Sequence, residues 1–205
     1  FKQARYSDWF DPVKKEVHLL TLLGYKNIIL FGVSTGATGI LHLLLNGDFK
    51  NSHLSKVYLM DPYIVPKNSN LYLVPYLKYM IRNTRSTASQ PLSYANWYVN
   101  RPANALSELL KLVKTINVQL SRFSQEFSIP DITVFTAAND PTSATEGADV
   151  ILSSLGSEHV NLIRYDSDRH VIIESQTKLD WSEQDQRHFN HVLQTMFPGL
   201  KFNLN

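Results

Sequence analysis

Short apolar runs alternate along the chain with longer segments whose apolar residues recur every three or four positions. That alternation predicts a sheet interleaved with helices, an α/β arrangement. Asn27 to Phe31 (NIILF), Lys56 to Met60 (KVYLM), Ile132 to Ala137 (ITVFTA) and Val160 to Tyr165 (VNLIRY) read as four strands. Asp11-Pro12 reads as an N-cap with proline at the first helical position, and Val13, Val17, Leu20 and Leu23 then follow at helical spacing up to Gly24. Ala37 to Leu45 reads as a helix stopped by Asn46-Gly47, Thr145 to Leu155 as one closed by Gly156, and Glu183 to Met196 as a last one ended by Pro198 and Gly199.

About seventy residues separate the second strand from the third, and they do not alternate with the sheet. Tyr63 to Arg101 is rich in Tyr, Asn, Ser and Pro, whereas Ala103 to Phe123 carries a helical stripe of Leu106, Leu109, Leu110, Val113, Ile116 and Leu120. An insertion of that length in a compact fold is usually functional, often a lid or cap; the plainer reading is a helical excursion that covers the sheet edge. The expected organisation is therefore an α/β core over 1–62 and 102–205 with a cap over 63–101.

At 205 residues the chain has one domain's worth of core. Twenty Lys and Arg balance 18 Asp and Glu, which is too even a distribution for a phosphate-tracking surface, so a dedicated nucleic-acid binder is not expected. No apolar run approaches the ~18 residues of a membrane span, so stable membrane insertion is not expected either. Cysteine is absent, which excludes disulfides, thiolate catalysis and thiolate metal sites; it fits a reducing cytosol, the slightly preferred setting, and an exported protein alike. No targeting segment is visible before Phe10, and the first residue is Phe1 rather than Met, so the expectation is that the true start is missing.

Gly32-Val33-Ser34-Thr35-Gly36 joins an apolar strand to a helix that opens on small residues, the context in which G-x-S-x-G has mechanical meaning. A serine on so sharp a turn needs neighbours without side chains, which Gly32 and Gly36 would supply, while Gly39 and Ala37 would let the helix pack close. The Thr35 amide, at the positive end of that helix, could face an oxyanion beside Ser34 Oγ. A glycine-rich turn that binds a phosphate, or nothing, is the competing reading.

Serine is a poor nucleophile without a base and an acid to orient it. Of seven histidines, His18 and His42 fall in helices, His53 in a turn, His159 before a strand and His188 and His191 in the last helix, all simpler to read as packing or surface groups. His170 instead follows the fourth strand and the loop Asp166-Ser167-Asp168-Arg169, where a loop at a strand's C-terminal end can present an imidazole. Asp140, after the third strand, shares that edge with Ser34 and His170 and is the preferred acid. Asp61, after the second strand, is its rival, although Asp61-Pro62 also reads as a plain turn. Asp166 and Asp168 read as solvated loop charges.

These residues resemble the α/β-hydrolase superfamily, and within it the capped carboxylesterase and monoacylglycerol-lipase-like members. The resemblance runs from about Leu19 to Phe197 through NIILFGVSTGATGILHLL, NALSELLKLVKTINVQLSRF, IPDITVFTAANDPTSATEGA and VNLIRYDSDRHVI. It implies a mostly parallel sheet with flanking helices and a helical cap, with Ser34 as nucleophile, Asp140 as acid, His170 as base and Thr35 as an oxyanion donor. It also implies a small-molecule ester or lipid substrate, and no metal or cofactor, with a non-catalytic binding protein on the same scaffold, or a thioesterase or acyltransferase on the same triad, as the alternatives. Tyr63, Tyr72, Leu73, Tyr76, Tyr79, Met80 and Trp97 of the cap would suit a medium acyl chain, or would simply pack on the body. The chain departs from the family in two places. Only about twenty-six residues precede the elbow strand, without the Gly-rich segment that donates a second oxyanion N–H, so missing N-terminal strands and an exposed sheet edge are expected. Arg169 stands where relatives commonly carry a small residue, and is expected to tighten the loop's electrostatics and lower the basicity of His170.

Overall fold

The structure is a computed structural model and describes residues 3–80, 83–85, 100–124, 129–173 and 181–199. Its elements in chain order are α1 (Tyr6–Leu22), β1 (Ile28–Val33), α2 (Thr35–Leu45), β2 (Leu54–Met60), a 3₁₀ turn (Ser69–Leu73), α3 (Val74–Leu77), β3 (Asn83–Arg85), β4 (Asn100–Pro102), α4 (Ala103–Ser121), β5 (Asp131–Ala137), α5 (Glu146–Leu155), β6 (Val160–Tyr165) and α6 (Glu183–Met196). The four apolar runs are four parallel strands in the order β1-β2-β5-β6, and β3 and β4 form a separate antiparallel pair inside the long insertion.

Strand periodicity sorts the core into two sides. Val57 and Leu59 of β2, Ile132 and Val134 of β5 and Val160 of β6 turn one way and pack with Phe10 and Val17 of α1, Leu41 and Leu44 of α2, Leu112 and Ile116 of α4 and Ile151 of α5. Tyr58 and Met60, Phe135 and Tyr165 turn the other way, onto Val192 of α6 and Val171 and Ile172 of the loop after β6. Tyr58, Phe135 and Tyr165 stack in a row across three strands, with centroids 6.1 and 6.3 Å apart. Among the described residues β1 pairs only with β2, and Ile29 of β1 is exposed, as are Leu22, Leu23 and Tyr25 around the end of α1. No helix of the described residues is long and apolar enough to cross a membrane.

The start of α1 corrects the expectation from Asp11-Pro12: the helix begins at Tyr6 and runs through Pro12. Proline removes one backbone hydrogen bond inside a helix, so the early turn needs compensation. Asp8 supplies part of it by accepting the Arg5 N–H at 2.8 Å. Phe10 supplies the rest, with 6% of its surface exposed and its ring lying where a Cβ on Gly39 would stand, 2.0 Å from the nearest ring carbon. Burial of that aromatic, worth about 1.5–3 kcal/mol, offsets much of the cost of about 3 kcal/mol for a proline inside a helix.

The insertion leaves the body gradually. Tyr63 and Ile64 are buried, the Ala144 N–H donates to Val65 O at 2.9 Å, and Pro66 bridges to Ser143. Beyond it Tyr72, Leu73, Tyr76, Tyr79 and Met80 are exposed. Trp97 lies outside the described residues.

Candidate active site

The pairing register decides what meets at the C-terminal edge of the sheet. Val33 sits opposite Met60, Met60 opposite Phe135, and Ala137 opposite Tyr165, so the residues that follow each strand emerge on one line. Ser34, Asp61, Asp140 and His170 all come from loops on that line.

Ser34 occupies a turn with φ 52° and ψ −122°, a conformation that disfavours side chains. Three hydrogen bonds fix the turn: the Ser34 N–H donates to Met60 O at 2.8 Å, and the Thr38 N–H and hydroxyl donate to Ser34 O at 3.1 and 3.2 Å. Gly32 makes the sharp approach possible, because a Cβ there would lie 2.8 Å from Ala37 Cα and 2.9 Å from Ala37 N. Gly36 differs from expectation: a Cβ there would meet nothing within 4 Å, so the packing reason for glycine applies to Gly32 and Gly39 but not to Gly36. Because rigid backbone opposes the new methyl group, Gly32→Ala is expected to cost about 1–3 kcal/mol and to lower the melting temperature by about 2–12 °C. Calorimetry checks this, and a variant melting with the wild type contradicts the close approach.

His170 reaches back to both partners. Its Nε2 lies 2.7 Å from Ser34 Oγ and its Nδ1 lies 2.6 Å from Asp140 Oδ2. A carboxylate can only accept, so Nδ1 carries the proton and Nε2 is left to accept from the serine hydroxyl. The Asp140 side chain is 1% exposed, and its second oxygen accepts the N–H groups of Thr142 and Ser143 at 2.7 and 3.1 Å. Lys67, from the first stretch of the insertion, donates its Nζ to Asp140 O at 2.7 Å. The two loops are also stitched together, since the Asn139 N–H donates to Ser167 O at 3.0 Å. Thr35 is the first residue of α2, where a helical amide has no carbonyl four residues back to reach.

The rival carboxyl is close but differently employed. Asp61 is 1% exposed, has φ 44°, donates its N–H to Phe135 O at 2.8 Å and accepts the Ala137 N–H on Oδ1 at 2.9 Å. Its bonds therefore tie the end of β2 to the end of β5, while its Oδ2 is buried without a partner among the described residues. Burial pushes this carboxyl well above its ordinary value, and the neighbouring Asp140 adds to the rise. A group that holds its proton more tightly when folded contributes its stability fully below the unfolded value of 3.8, and loses it as pH rises through the folded value. Asp61→Asn, which cannot ionise, is expected to flatten that decline and to melt above the wild type at pH 8. Melting curves from pH 4 to 9 check this, and parallel curves for both proteins contradict it.

The remaining sequence candidates fall where packing puts them. His42 Nδ1 meets Gln119 Oε1 at 2.8 Å, His191 Nδ1 meets Tyr165 Oη at 3.1 Å, and the His188 ring leans on Tyr165 with centroids 4.8 Å apart. Asp166 and Asp168 are exposed. Among the described residues no group of three or more His, Asp or Glu side chains could hold a metal ion. The Arg169 guanidinium is engaged by Asp185 of α6 at 2.8 Å. Neither that pair nor Lys67 carried a recognisable sequence signal, since each depends on contacts between distant segments.

No family model matches the chain, and no curated protein sequence matches it. Solved structures do. One of two metagenome-derived lipolytic enzymes superposes with a TM-score of 0.71 at 12% identity, over 95% of this chain and 74% of that one. A monoacylglycerol lipase from Paleococcus ferrophilus gives 0.68 at 10% identity, over 94% and 75%. A soluble variant of the Saccharomyces cerevisiae monoglyceride lipase, solved with a substrate analogue, gives 0.71 at 14% identity, over 96% and 70%. With a parallel sheet flanked by helices and this likeness over nearly its whole length, the chain has the α/β-hydrolase fold.

Proposed function

We propose that the protein is a serine hydrolase that cleaves carboxylic esters through an acyl-enzyme on Ser34. The observation that carries this reading is the continuous hydrogen-bonded line from Ser34 Oγ through His170 to Asp140, with steps of 2.7 and 2.6 Å. In the forward step the Ser34 proton passes to His170 Nε2 while Oγ bonds to the ester carbonyl carbon. Asp140 holds the imidazole in the required tautomer and stabilises the cation that forms. The Thr35 amide faces the developing oxyanion. Collapse of the tetrahedral species breaks the bond to the alcohol, which leaves with the proton from His170. Water then attacks the acyl group by the same proton route and frees Ser34. This chemistry calls for no metal or organic cofactor.

Short-to-medium acyl esters and monoacylglycerol-like lipids are the substrates in this reading. Two of the superposed proteins are monoacylglycerol lipases, and the insertion over 63–101, read as a cap, offers Tyr72, Leu73, Tyr76 and Met80 for apolar contact. A fluorescent fluorophosphonate together with a series of p-nitrophenyl esters from acetate to laurate tests the proposal. A folded wild-type chain that labels and turns over esters supports it, and a folded chain that does neither overturns it.

A further inference from the structure

The loop that delivers His170 is gripped from outside the line of reacting groups. Helix α6 packs against it and makes polar contacts with it from two of its residues. Gln184 donates its Nε2 to Asp166 O at 2.7 Å, and Asp185 pairs with Arg169, whose Nε stands 2.8 Å from Oδ1. The pair is mostly buried, with 13% of the Arg169 and 11% of the Asp185 side chain exposed, which sets it apart from the screened pairs of the surface. Asp185 has a second task. Its Oδ2 accepts the N–H and hydroxyl of Ser182 at 2.9 and 2.6 Å, while Ser182 Oγ accepts the Asp185 N–H, so one carboxylate closes the capping box of α6 and holds the loop. Burial alone would raise that carboxyl, but the Arg169 guanidinium and the two Ser182 donors outweigh burial and hold it below its ordinary value. The guanidinium also lies 5.4 Å from the centre of the Trp181 ring, and Trp181 is itself fixed by a 3.1 Å bond from Nε1 to Gln186 Oε1.

We propose that Arg169 and Asp185 are positioning residues that hold the backbone preceding His170, so that the cap of α6 sets the aim of the imidazole between Ser34 and Asp140. The assignment rests on the hydrolase reading for its kinetic consequence and on geometry alone for its structural one. Arg169 is adjacent to His170 in the chain, and its N–H also bonds Ser167 Oγ at 3.1 Å, so the loop between β6 and the imidazole has little freedom while the pair is made. Without the pair the ring can drift, and misplacement of a catalytic group by about 1 Å costs on the order of 100-fold in rate.

The test compares Arg169→Ala, Arg169→Lys and Asp185→Asn with the wild type. Asp185→Asn keeps a side-chain oxygen for Ser182 and so separates pairing from capping if Arg169→Ala fails to fold. Two readouts are taken: kcat, KM and the pH profile of kcat on a p-nitrophenyl ester, and the low-field proton resonance of the His170 Nδ1–H held by Asp140. The expected result in folded variants is a fall in kcat of about 10- to 100-fold with KM within about twofold, a displaced pH profile, and a weakened low-field resonance. Arg169→Lys should recover part of each. Folded variants that keep the wild-type resonance and profile overturn the proposal. A wild type that shows the resonance and loses it in the variants, yet neither labels nor turns over esters, upholds the positioning role and removes the hydrolase reading. A wild type that shows no such resonance and neither labels nor turns over esters overturns both; where turnover is present without the resonance, folded variants with the wild-type kcat and pH profile overturn the positioning role.

Discussion

Replacing Ser34 with alanine is expected to abolish fluorophosphonate labelling and to lower ester turnover by about four to six orders of magnitude, the loss seen when a hydrolase gives up its nucleophile. The Ser34 hydroxyl has few other tasks. Its described partner is His170 Nε2 at 2.7 Å, while the bonds that fix the turn belong to the Ser34 backbone, through its N–H to Met60 O and its carbonyl to Thr38. Alanine keeps that backbone and the same unfavourable φ of 52°, so the fold should feel little. The melting temperature is therefore expected to stay within about 2 °C of the wild type, as for a substitution that opens no cavity and strands no buried donor. Intact-mass measurement of the labelled adduct and calorimetry on the same samples check both halves. Labelling that survives in the alanine variant would place the reactive group elsewhere and remove the mechanism built on Ser34.

The fold was legible because its signals are local. Each strand of the parallel sheet is a run of apolar residues bounded by turn formers, and each is found within two residues of where the runs place it, whereas β3 and β4 carry no such run. Chain order and strand count then suffice to bring Ser34, Asp140 and His170 to one edge, because parallel strands all end on the same side. What stayed hidden depends on contacts across the structure. Proline inside α1 is tolerated because Phe10 fills the space above Gly39, a contact between helices that no single segment announces. Gly36 reads as a steric requirement in the motif, yet the space beside it is open and the crowding falls on Gly32. The same holds for Arg169, whose guanidinium is engaged by a carboxylate sixteen positions further on in α6.

The choice between the two carboxylates has its own experiment, and the expected outcome is unequal. Asp140→Asn should lower kcat by about 10⁴-fold, because an amide facing Nδ1 can donate as well as accept and no longer fixes the tautomer that leaves Nε2 free. The environment strengthens the expectation. Asp140 Oδ1 is held by the Thr142 and Ser143 amides, which favour an oxygen there and direct the other end of the group, an NH₂ in the variant, toward His170. Asp61→Asn should change kcat by less than about threefold, since its Oδ1 is committed to the Ala137 amide and an Asn oxygen can accept the same bond. Burial raises the Asp61 carboxyl well above its ordinary value and the neighbouring Asp140 adds to the rise, so the charged form that an imidazolium partner requires is disfavoured there. Initial rates on p-nitrophenyl acetate for the two variants decide the matter. A large loss in Asp61→Asn with a small one in Asp140→Asn would move the acid to the end of β2, and would mean that the His170 ring works in an orientation other than the one the 2.6 Å bond to Asp140 defines.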